Sequence, residues 1–83
     1  MAQYAIQHMD GDPSNLSTSY ADLFEDALGE AGKAEKWLPL GPSRMAIIWE
    51  DGKIIANFKN RQEAISAHAE YVCAKMYGPL LYL

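Results

Sequence analysis

The sequence predicts an α+β domain of two layers, an antiparallel sheet carrying two helices on one face. Three observations lead there. Residues 45–58 read as two β-branched, apolar runs separated by Asp51-Gly52, the strongest short-range hairpin cue. Residues 18–31 and 60–77 each repeat apolar side chains at helical spacing. Gly- and Pro-rich stretches punctuate the chain between these blocks.

Taken in order, Gln3-Tyr4-Ala5-Ile6-Gln7-His8 alternates weakly and reads as a first strand. Asp10-Gly11-Asp12-Pro13-Ser14-Asn15 is turn chemistry throughout. Thr18 or Ser19 then serves as the cap of a helix running to Ala31. Its buried arc would hold Tyr20, Leu23, Phe24, Ala27, Leu28 and Ala31, with Asp22, Glu25, Asp26 and Glu30 opposite. Residues 33–44 are an irregular connection in which Trp37, Leu38 and Leu40 are expected to pin the chain over a core edge.

The hairpin follows. A two-residue turn at Asp51-Gly52 pairs Glu50 with Lys53, Trp49 with Ile54 and Ile48 with Ile55. Carried through, this register puts Met45, Ile47, Trp49, Ile54, Ala56 and Phe58 on the core face and leaves Ile48 and Ile55 on the other. A second helix starts at the Asn60 cap, with Glu63 at capping-box spacing, and stops at Gly78-Pro79. Ile65, Ala69, Val72, Cys73 and Met76 form its expected buried stripe. Residues 79–83 are apolar enough to predict a closing strand. The order is then β-α-β-β-α-β, the split-βαβ, ferredoxin-like arrangement, in one domain spanning residues 1–83. That arrangement implies no activity by itself.

Charge is the most uneven property of the chain. Residues 1–32 hold six acids and no Lys or Arg, whereas residues 33–83 hold five acids and seven bases. The net charge of −4 and the scattered bases disfavour direct nucleic-acid binding, which runs on clustered Lys and Arg. The expected open face of the central strands offers Gln3, Ala5 and Gln7 with Lys53, Ile55 and Asn57, and so no aromatic platform for bases. No apolar run reaches the ~18 residues of a membrane span. The start of the chain lacks a secretion signal, and the single cysteine suits a reducing compartment, so a cytoplasmic location is expected.

Catalytic chemistry finds little support. Cys73 is expected inside the core, and His8 and His68 are expected at the surface or at an edge without partners. Asp10-Gly11-Asp12-Pro13-Ser14-Asn15 begins like a calcium loop, but position 6 is Asn15 instead of Gly and position 12 is Ala21 instead of Glu. No phosphate-cradling glycine motif occurs. The expectation is therefore a non-enzymatic protein without cofactor or metal.

Two surfaces remain. The acidic side of the first helix, Asp22, Glu25, Asp26 and Glu30, would bind a partner protein with a basic surface. Spaced carboxylates imitate a phosphate backbone, as in small inhibitors of nucleic-acid-handling complexes made by phages and mobile elements. Apolar residues off the core, Ile48, Ile55 and Tyr71, would suggest a homodimer if they formed one patch. The alternatives are a small-molecule binder or minor enzyme with a pocket at a dimer seam, where His8, His68 and Tyr71 come first, or a structural subunit of a larger assembly.

Overall fold

A computed structural model describes residues 3–77. It is α+β, with a four-stranded antiparallel open sheet and three helices among the described residues. β1 (Tyr4–Met9) leads through one 3-10 turn (Pro13–Asn15) into β2 (Ser17–Ala21). Then come α1 (Phe24–Ala31), the single turn α2 (Ala34–Trp37), the hairpin β3 (Met45–Glu50) and β4 (Lys53–Phe58), and α3 (Arg61–Tyr77). The sheet order is β2-β1-β3-β4.

The described order differs from the β-α-β-β-α-β expected, because a second strand precedes the first helix. Ser17-Thr18-Ser19-Tyr20 pairs with β1 instead of capping a helix, and α1 starts only at Phe24. Ser, Thr and Tyr are all tolerated in strands, and an edge position beside β1 satisfies their backbone groups on one side. Tyr20 and Leu23, expected in the core, are 64% and 63% exposed. The closing strand expected at residues 79–83 lies outside the described residues.

The Asp51-Gly52 turn forms as its residues dictate, with φ of 51° and 78°. Glu50↔Lys53 and Trp49↔Ile54 pair as expected. Beyond them the register shifts, so Ile48 pairs with Ala56 and Ile55 is left without a partner in a β-bulge. One extra residue moves β3 relative to β4, and side chains alternate with period two. Ala46 and Ile48, not Met45, Ile47 and Trp49, therefore lie under the helices beside Phe58 and Ala56. Gly52 has open space around its Cα, so Gly52→Ala meets only conformational strain there. Urea unfolding of that variant is expected to show a loss of about 1–2 kcal/mol.

Ile6 and Ile48 of the central strands, both wholly buried, meet Ala27, Leu28 and Ala31 of α1 and Ala64 of α3. α3 lies against α1 through a side opposite in character to the one expected. Its Ala64 and Ala67 turn to the core, and their small side chains let the helix approach closely. A Cβ at Gly32 would stand 3.4 Å from Ile65 Cγ1, a measure of that approach. Tyr71 stacks edge-on against Phe24, which in turn meets Tyr4. Ala69, Cys73 and Met76 of the expected stripe are exposed, Met76 by 69%. The α3 cap matches its spacing: Glu63 N–H donates to Asn60 Oδ1, and Glu63 Oε1 accepts from the Lys59 N–H, both at 2.9 Å.

The face of the sheet away from the helices is uncovered among the described residues. Because Ile6, His8 and Ile48 point to the helices, Gln7, Met9, Ile47 and Trp49 point the other way. Their cross-strand partners on that face are Thr18 in β2 and Ile54 and Asn57 in β4. This corrects the expectation of an open face without aromatics.

Candidate functional site

The acidic residues singled out from the sequence do not form one uniform helix face. Asp22 precedes α1, in the bend after β2, and is exposed. Glu25 and Asp26 occupy the first turn, where carboxylates also favour the helix dipole. Glu30 sits in the last turn and is ion-paired with Lys33. The Lys33 ammonium holds the Glu30 carboxyl below the usual carboxylate range, and Glu30 raises Lys33 in return. Glu25 Oε1 accepts from Lys75 Nζ of α3 at 3.2 Å. Asp22 and Asp26 make no ion pair among the described residues.

Three of these acids do converge. Glu25, Asp26 and Glu30 line an open groove of about 500 Å³ together with Tyr20, Lys33 and His68. β2 supplies the tyrosine, α1 the carboxylates and α3 the imidazole. Tyr20 was expected in the core of a helix, and His68, considered for a pocket at a dimer seam, lines this groove within one chain because α3 flanks α1. The Glu30–Lys33 pair is local, at i,i+3, whereas the Glu25–Lys75 pair joins residues 50 apart.

His8 is a core residue, contrary to the expected surface or edge position. It is wholly buried. Its Nε2 lies 3.0 Å from the Ala31 carbonyl oxygen, and only a protonated Nε2 can donate there. Trp37 Nε1 donates to the same oxygen at 2.7 Å, and the two rings meet edge to face. Together they satisfy a carbonyl that the end of α1 leaves without a helical partner. Nδ1 is buried with no partner. Burial pushes the imidazole below its ordinary value, so the ring is neutral near pH 7.

The residues considered for self-association separate. Ile48 is 0% exposed under the helices and is unavailable for any contact between copies. Ile55 is 42% exposed at the β4 bulge, and Tyr71 packs on Phe24 of α1. Cys73 is exposed, against the expectation of a core cysteine, because α3 turns its Ala-rich side inward. Asp10 has a structural role: its carboxylate accepts from the Gly41 N–H at 2.7 Å, from Asn15 Nδ2 and from the Asp12 N–H. The Gly41 bond foremost lowers its pKa and ties residues 33–44 to the first turn. Among the described residues no cluster of His, Cys, Asp and Glu could hold a metal, and no helix is long and apolar enough to cross a membrane.

No family model matches the chain, and no curated protein or solved structure matches it.

Proposed function

We propose that the chain is a non-enzymatic interaction module that holds a basic surface of a partner protein at the acidic groove beside α1. The observation that carries this reading is the groove itself: three carboxylates line one open concavity. The first 32 residues add no Lys or Arg to oppose a cationic partner. Asp26 in the groove, and Asp22 in the bend before α1 and outside the groove's lining, make no ion pair among the described residues and offer their carboxylates at once. Glu25 and Glu30 are already paired with Lys75 and Lys33, so a partner's arginines would exchange with them. Arginine suits the site, since its planar guanidinium pairs two-pronged with carboxylate. A protein that handles nucleic acid presents such a basic surface, and carboxylates on a short rod imitate the phosphates it is built for.

The test is capture of a partner from native host extract by immobilised protein at low salt. Asp22→Asn with Asp26→Asn is expected to weaken capture about tenfold, from two exposed charge contacts of about 0.5–1 kcal/mol each. Glu35→Gln with Glu70→Gln makes the same change in net charge elsewhere and should leave capture unchanged. Lys75→Gln frees Glu25 and should strengthen it. Equal loss in both neutralised pairs would reduce the effect to net charge and sink the proposal. One observation favours a second reading, a small cationic ligand: the groove's volume lies in the range of small-molecule sites and His68 lines it. Calorimetry with spermidine separates the two readings.

A further inference from the structure

We infer that the uncovered face of the sheet is the contact between two copies of this chain, packed sheet on sheet. β3 reads Met-Ala-Ile-Ile-Trp-Glu, apolar on both faces, as in strands covered on both sides. A sheet with one wet face would alternate apolar with polar. Ile47 points away from the helices and is only 8% exposed. Trp49 is fixed in place, its Nε1 donating to Gln7 Oε1 at 2.9 Å. A pre-positioned tryptophan on a central strand is the kind of anchor on which interface energy concentrates.

Charge decides in favour of a second copy. Glu50 pairs across β3–β4 with Lys53 and across β1–β3 with Tyr4, which packs with the helices, so the charged strand residues stand on the helix side. The opposite face carries no Asp, Glu, Lys or Arg on any of its four strands. Strands without charge give a charged partner little to select, and the carboxylate of Asp12 stands only at one end, beside Leu16. For a chain of net charge −4 this face is also a place where two copies meet without opposing like charges. Area is consistent. Four strands span about 19 Å across and about 20 Å along. Tyr20, Ile54 and Leu16, 64%, 53% and 47% exposed, raise and widen that surface. The footprint is about 400 Å² per copy before side-chain relief, the size of a weak, concentration-dependent association. Stacked sheets pack about 10 Å apart with strands about 30° off parallel, a geometry open to two identical faces related by a two-fold axis.

Sedimentation over a range of concentration tests this. The wild-type chain should move from 9.2 kDa to twice that mass as concentration rises. Ile54→Lys with Thr18→Lys places two charges on the face at exposed positions of the edge strands, and should weaken association by about a hundredfold or more. Unchanged far-ultraviolet circular dichroism confirms that this variant folds. Met76→Lys on α3 lies off the face and should associate as the wild type does. A wild-type monomer at every concentration overturns the inference. So does a dimer that tolerates both lysines on the sheet, or one lost with Met76→Lys alone.

Discussion

Trp37→Ala is expected to leave the chain largely unfolded or close to it. Trp37 is 3% exposed and fills the end of the core. Truncating a buried tryptophan costs about 3–5 kcal/mol. It also removes the 2.7 Å bond to the Ala31 carbonyl and the edge of the His8 ring contact. A chain of 83 residues has roughly 4–12 kcal/mol in all. The loss therefore takes a large share of the stability, and urea unfolding should show it as a midpoint near zero denaturant. Trp37→Phe keeps most of the volume and loses the donor, and is expected to cost about 1–2 kcal/mol. Equal stability of Trp37→Ala and wild type would mean that residues 33–44 do not pin the core.

Acidification is the second large effect. His8 has its pKa lowered from 6.5 by burial, with Lys36 adding to the shift and the Ala31 carbonyl and Glu30 opposing it. The unfolded chain takes up a proton near pH 6.5, and the folded chain does so only at lower pH. Between these values the unfolded state binds more protons, so stability falls as pH falls. The contribution is complete above about 6.5 and is gone below the folded pKa. Protonation would place an N–H at Nδ1, where no acceptor waits. Asp10 extends the same trend at lower pH, since its carboxylate is held below 3.8 by the Gly41 N–H. Urea midpoints at pH 7.5, 6 and 5 should decline in order. His8→Phe should be less stable at pH 7.5 and show little further change down to pH 5. A wild-type midpoint that is flat from pH 7.5 to 5 would contradict the burial of a neutral imidazole.

The elements that follow from local chemistry were legible in the sequence. Asp51-Gly52 fixed the hairpin, and Asn60 with Glu63 fixed the start of α3. What was not legible came from long-range packing. The bulge at Ile55 has no local signature in Lys53-Ile54-Ile55-Ala56, yet it reverses which side of β3 is buried. Ser17–Ala21 carries capping residues as suited to a helix start as to a strand, and only pairing with β1 decides between them. α3 has two apolar sides, and the smaller one wins because alanines let it settle against α1 near Gly32. No partner spacing marks His8 in the sequence, because the Ala31 carbonyl that receives it lies 23 residues away. Of the acidic site, the carboxylates were legible but their lysine partners and the groove were not.

The most direct measure of the central claim is the affinity for the captured partner at about 50 and about 500 mM salt, for wild type and for Asp22→Asn with Asp26→Asn. Docking by carboxylates predicts a wild-type affinity that drops about tenfold or more across that range, and a double variant weak at both ends. An affinity indifferent to salt and to both substitutions would contradict it.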